Sequence, residues 1–217
     1  MIFMLTWCSH SLIIDQLKIR HERQMPSYPD HFSMSALLLT MKKPCVGISP
    51  CLLGEKVRYD GGHRHNRYIT DILGKYFGWI PVCPEVECGL GIPREPMQLV
   101  GDPAKPRIVT ISAGIDHTDR MMKWAEKKLV QLEKEGLCGF IFKSNSPSSA
   151  IRGVRIISPS GDEYGGGPGI FGGAFIKHFS MIPVIDDGQL GDPVLRKDFL
   201  EKVFACKTLQ DSKEKKR

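Results

Sequence analysis

Cys51 stands in Ser49-Pro50-Cys51-Leu52-Leu53-Gly54, directly after the short apolar run Val46-Gly47-Ile48 and before Arg58-Tyr59-Asp60-Gly61-Gly62. A thiol at the exit of an apolar run, facing a turn dense in Arg, Tyr and Asp, suits a site better than a core. Cys83 repeats the arrangement: it closes Trp79-Ile80-Pro81-Val82 and opens Cys83-Pro84-Glu85. A third apolar run, Leu137-Cys138-Gly139-Phe140-Ile141-Phe142, leads into Lys143-Ser144-Asn145-Ser146-Pro147-Ser148-Ser149. Thiolates arriving from separate loops suit a soft metal or an iron–sulfur cluster. A lone cysteine is most often a small buried hydrophobe. Two of them at two run exits, each beside Pro and polar residues, shift the balance toward a site.

These residues can meet only if the apolar runs lie side by side. From Pro44 the pattern alternates strand and helix. Strands are predicted at 46–48, 79–82, 107–111 (at an edge), 137–142, 154–157 and 182–184. Helices are predicted at 66–76, 116–135, 170–179 and 192–205. The 116–135 helix carries the stripe Met121, Met122, Ala125, Leu129 and Leu132, with Gly136 as its stop, and Leu195, Phe199, Val203 and Phe204 form the inward face of the last helix. The stretch 158–169, rich in Gly and Pro, reads as loop. Its Gly165-Gly166-Gly167 lacks the lysine of a phosphate-binding loop. The alternation predicts a single α/β domain, an open, mostly parallel sheet with helices on both faces. In such a sheet ligands bind at the carboxyl ends of the strands, where Cys51, Cys83 and Ser149 would converge.

The 217 residues suffice for one domain, placed at 44–206, with two tails. Residues 1–43 read as a disordered or overcalled extension, because Met41-Lys42-Lys43-Pro44 has the form of a translation start just before the first strand. Residues 207–217 read as a charged flexible tail. The net charge is +6, of which residues 213–217 supply +3, so the body is only mildly basic. Seven irregularly spaced cysteines do not form a disulfide framework. With no secretory signal and no membrane-spanning run, the expected compartment is a reducing cytoplasm.

The motifs Ser49-Pro50-Cys51-Leu52-Leu53-Gly54, Val57-Arg58-Tyr59-Asp60-Gly61, Cys83-Pro84-Glu85, Pro93-Arg94-Glu95-Pro96 and Lys143-Ser144-Asn145-Ser146-Pro147-Ser148 together resemble the TudS-type thiouracil desulfidases. The resemblance runs from about Val46 to Phe204. It is nearest the RudS-like tRNA thiouridine desulfidase branch, without that branch's fused second domain. It implies a 4Fe-4S cluster held by three cysteines and an iron open to the sulfur of a thiolated pyrimidine. The substrate would be a thiouracil, a thiouridine nucleotide or tRNA thiouridine. Cys51 and Cys83 match two ligands, and Glu85 matches the acid/base, with Ser146 as a second catalytic residue. The substrate set is Ser49, Arg58, Tyr59, Asp60, Arg94, Lys143 and Ser148. In that set Arg58, Arg94 and Lys143 suit a phosphate and Tyr59 a stacked base.

The chain departs from the family at the third ligand, where Ser149-Ala150 replaces Cys-Gly. Serine is a harder and poorer ligand for iron. Ser149 ligates weakly or an external ligand fills in, Cys88 or Cys138 substitutes, or the cluster is labile or lost. The rivals are therefore a non-catalytic small-molecule binder and a mononuclear metal or thiol enzyme using Cys51 and Cys83. Strand length argues against Cys138, which sits at the far end of its run. His63 and His65 read as solvated loop residues rather than a metal pair.

Overall fold

The computed structural model describes residues 42–214. The expectations for residues 1–41 and 215–217 lie outside the described residues. Four strands, β1 (Cys45–Ile48), β2 (Gly78–Pro81), β5 (Leu137–Phe142) and β8 (Val184–Asp186), form an all-parallel sheet in the order β2-β1-β5-β8. All six residues of β5 are buried, as a central parallel strand covered on both faces requires.

Helix α4 (Pro193–Glu214) and the turns from Tyr68 to Lys75 cover one face. There Val46, Ile48, Ile141 and Ile185 meet Ile69, Leu73, Phe199 and Val203. Helices α2 (Thr118–Glu133) and α3 (Ile170–His178) cover the other, where Phe140, Phe142, Phe171 and Phe175 cluster with Ala125, Leu129 and Leu132. Gly47 is required at the centre of β1, since a Cβ there would lie 2.2 Å from the Phe140 ring.

A second sheet, which the hydrophobic pattern does not announce, runs β4-β3-β6-β7. Its strands are β3 (Met97–Val100), β4 (Arg107–Thr110), β6 (Val154–Ile157) and β7 (Glu163–Gly167). Leu99, Ile108 and Ile156 pack with Met121 of α2, and the Ile108 N–H donates to Thr118 Oγ1 at 2.9 Å. β4 lies at an edge, as expected. The predicted loop at 158–169 instead contains β7, whose Glu-Tyr-Gly-Gly-Gly carries no alternation but pairs through its backbone with β6.

Other expectations need correction. The predicted helix at 66–76 is a π turn (Tyr68–Ile72) followed by a 3-10 turn (Leu73–Lys75), although Ile69 and Leu73 still face the core. Met122 and Leu195, assigned to apolar stripes, are exposed, because each lies one position off the buried arc of its helix. The last helix, predicted to end at 205, continues through residues 207–214 of the expected charged tail. Gln210 anchors them by donating from Nε2 to the carbonyls of Gly136 and Leu137, each at 3.2 Å. No helix among the described residues is long and apolar enough to cross a membrane.

Candidate active site

The carboxyl ends of β1, β2 and β5 open into one cavity of about 400 Å³. Each strand delivers a motif to it. β1 runs into the 3-10 turn Pro50–Leu53, whose first residues are prepared by Pro50 and whose end is closed by Gly54 at φ +95°. β2 runs into the short helix α1 (Pro84–Glu87), with Cys83 at its N-cap position. The Cys83 N–H donates to Glu87 Oε1 at 2.8 Å, and Glu87 pairs with Lys128 of α2 at 2.9 Å. β5 runs into Lys143–Ser149 through Asn145, the only non-glycine described residue with positive φ (57°). α3 closes tightly over this loop: a Cβ on Gly172 would lie 2.1 Å from the Ala150 carbonyl oxygen.

Cys51, Cys83 and Ser149 all line the cavity, so the convergence expected of three strand exits is present. Burial raises the Cys51 thiol, with Lys143 and Arg58 pulling the other way. Burial pushes the Cys83 thiol up to about 11, against a smaller opposing effect of the Val86 amide. Both are therefore protonated at neutral pH until a cation displaces the proton. The Ser149 backbone N–H donates to Ser146 Oγ at 3.2 Å, while its hydroxyl has no hydrogen-bond partner among the described residues. Cys88 does not line the cavity; its thiol donates to the Glu85 carbonyl at 3.4 Å and packs against the second sheet. Cys138 is fully buried under α4. Neither lines the cavity with Cys51 and Cys83.

Glu85 is the centre of a polar chain across the cavity wall. Its Oε1 accepts from Ser148 Oγ at 2.7 Å, and Ser148 and Ser146 share a hydrogen bond at 3.0 Å. Its Oε2 accepts from Arg94 Nε at 2.7 Å and also from Arg94 Nη2. Arg94 further donates to the carbonyls of Val57 at 2.9 Å and Gly91 at 3.1 Å. A guanidinium so engaged ties three segments together and is not available to a phosphate. Lys143 is similarly engaged, with Asp187 at 2.9 Å and with Ser144. Ser49 accepts the Lys143 N–H at 3.0 Å, joining the exits of β1 and β5, and Ser148 points its hydroxyl at Glu85 rather than into open space.

Arg58 and Arg64 differ from these. Arg58 Nε is buried without a hydrogen bond, 3.4 Å from Asp60, and its guanidinium lies 5.2 Å from the Tyr59 ring centre. Arg64 lines the cavity, and its side chain has no partner among the described residues. Tyr59 is on the cavity wall, whereas Asp60 is outside it and accepts from the Gly62 N–H at 3.0 Å. Sequence reasoning missed Arg64, Asn145 and Asp187. Only the Lys-Ser-Asn-Ser-Pro run hinted at one of them, Asn145, a residue type that tolerates the left-handed conformation.

A parallel sheet whose strand exits gather two thiols, a serine and a clamped carboxylate around one cavity defines an α/β protein with its candidate site at the strand exits. The chain belongs to the 2-thiouracil desulfurase family, which matches residues 46–187. It is similar to the uncharacterized protein YbbK of Bacillus subtilis (strain 168), with 33% identity over 107 residues, 46% of this chain and 70% of that protein. Among solved structures it resembles the [4Fe-4S]-dependent thiouracil desulfidase TudS at 29% identity and a TM-score of 0.53, over 71% of this chain and 97% of that one.

Proposed function

We propose that this protein is an iron–sulfur-dependent desulfidase that replaces the sulfur of a thiolated pyrimidine nucleotide by oxygen. The observation that carries the proposal is the convergence of Cys51, Cys83, Ser149 and Glu85 on one cavity from three strand exits. Two of the three donors fit a 4Fe-4S cluster: the two thiols become thiolates on binding, while the unpartnered Ser149 hydroxyl offers a harder, weaker oxygen where the family resemblance calls for sulfur. Cys51, Cys83 and Ser149 would hold the cluster. When bound, it supplies an open iron as a Lewis acid for the thiocarbonyl sulfur.

The chain's own residues supply the rest. Glu85, held by Arg94, takes a proton from the attacking water at Oε1, the oxygen that Ser148 also reaches. Ser146 and Ser148 form the path by which that proton moves along the wall. Water adds to the carbon, the carbon–sulfur bond breaks, and the proton leaves with the sulfide, so no external reductant or oxidant is needed. Tyr59 offers a face to the base. Arg64 offers the uncommitted cationic group that a nucleotide phosphate requires, and Arg58, paired with Asp60, can add a second. tRNA thiouridine would present the same phosphate chemistry, and a free nucleotide suits a cavity of about 400 Å³ better.

Anaerobic reconstitution of the wild type beside Ser149→Cys tests the reading. The wild type should bind about four iron per chain. The variant should retain them longer, and both should release sulfide from 4-thiouridine monophosphate faster than from 2-thiouracil. A wild type that binds no iron and releases no sulfide defeats the desulfidase reading. If Ser149→Cys changes neither iron retention nor rate, Ser149 is not a ligand.

A further inference from the structure

The end of the parallel sheet opposite the cavity holds a second group of thiols. β1 and β5 start in register at Cys45 and Leu137, but Val46 pairs with Gly139, leaving Cys138 as an extra residue. Such a bulge re-aims a side chain. Here it turns Cys138 to the α4 face, where it packs with Phe199 and Val203, while Leu137 and Phe140 face α2 and α3. α4 lies close at this point because Gly139 has no side chain; a Cβ there would be 2.7 Å from Val203 Cγ2.

Cys206, one turn beyond Val203, is held against the bulge by the same side chain that holds Cys138. Cys138 Sγ donates to Gln210 Oε1 at 3.3 Å, and Gln210 Nε2 lies 3.9 Å from Cys206 Sγ. Cys138 is fully buried, whereas Cys206 is partly exposed, with its Sγ 3.8 Å from the Leu137 carbonyl. The neighbouring Cys138 thiol pulls the Cys206 thiol below the ordinary range, and Cys138 is raised in turn. An accessible, acidified thiol beside a second thiol has the form of an oxidation-sensitive pair.

We propose that Cys206 is a hydroperoxide-reactive thiol and Cys138 its resolving partner, the product being a Cys138–Cys206 disulfide that staples α4 to β5. The Cys206 thiolate attacks one peroxide oxygen, the O–O bond breaks, and the departing hydroxide or alkoxide leaves protonated. Cys206 is then a sulfenic acid. Cys138 sulfur attacks the Cys206 sulfur, the S–O bond breaks, and the hydroxyl leaves as water with the Cys138 proton. Two thiols have lost two electrons and two protons, and the hydroperoxide has been reduced to water and water or an alcohol. About 13 Å of β5, four residues at 3.3 Å each, separates Cys138 from the cavity end, so the pair is independent of the desulfidase reading.

The test treats full-length, metal-free, reduced protein with equimolar hydrogen peroxide at neutral pH and maps its cysteines by mass spectrometry. A Cys51→Ser/Cys83→Ser background is run in parallel to remove the cavity thiols. Cys206 should disappear about tenfold faster than Cys88, and in both backgrounds the product should join the peptides carrying Cys138 and Cys206. Cys138→Ala should stop at a Cys206 sulfenic acid trapped by dimedone, and Cys206→Ser, at a partly exposed position, should leave Cys138 unlabelled. Cys206 remaining reduced after Cys88 has reacted, or joined to Cys45 instead of Cys138, overturns the proposal.

Discussion

Arg94→Ala removes one guanidinium that three segments share, and its cost can be worked from the geometry. The Arg94 and Glu85 side chains are 9% and 14% exposed, so the pair is largely shielded from water. Removing one member of a buried pair leaves an uncompensated charge and costs about 3–5 kcal/mol. The lost donors to the Val57 and Gly91 carbonyls would each add about 1 kcal/mol, but the space left behind admits water to both. A net loss of about 4 kcal/mol remains. For a domain of this size each kcal/mol moves Tm by about 2–4 °C, so calorimetry of the metal-free protein should show a fall of about 10 °C. Glu85→Gln added to Arg94→Ala removes the stranded charge and should recover about half of that loss. Desulfidase turnover in Arg94→Ala should fall further than iron binding, since Glu85 loses its orientation while Cys51 and Cys83 keep theirs. A Tm within about 3 °C of the wild type, or a double variant no better than the single, would refute the view that Arg94 is what holds Glu85 in place.

Gly172→Ala forces a Cβ into the Ala150 carbonyl and should cost about 1–3 kcal/mol while displacing Ser149; denaturant unfolding and iron retention report the two effects. Iodoacetamide should modify Cys206 at lower pH than Cys83, which should react only near pH 11, and the reverse order would contradict the burial argument. Because burial raises Cys83 from 9.0 to about 11, its contribution to folding is intact below pH 9 and lost as the pH climbs to 11. The unfolding midpoint of metal-free wild type should fall over that window, and Cys83→Ala should flatten the fall.

Much of the site was legible because its chemistry is local. Cys51, Cys83 and Ser149 each follow an apolar run too short to be anything but a strand, and parallel strands must present their exits on one edge. Glu85, two residues after Cys83, inherits its place from the same exit. The buried faces of α2 and α4 followed from helical spacing, apart from Met122 and Leu195 at their margins.

What the chain could not disclose depends on pairing between distant segments. Arg94 looks like a free cation in Pro-Arg-Glu-Pro, yet it reaches back 9 residues to Glu85 and 37 to Val57. Asp187 engages Lys143 from 44 residues away. β7 exists because β6 offers it hydrogen bonds, since three glycines carry no pattern of their own. Cys138 was one apolar residue among six until a one-residue slip against β1 turned it toward Cys206. Residue types and their order along a strand decide which groups arrive at the sheet edge. Register, bulges and ion pairs, which draw their free energy from partners far along the chain, decide which of those groups are left free to react.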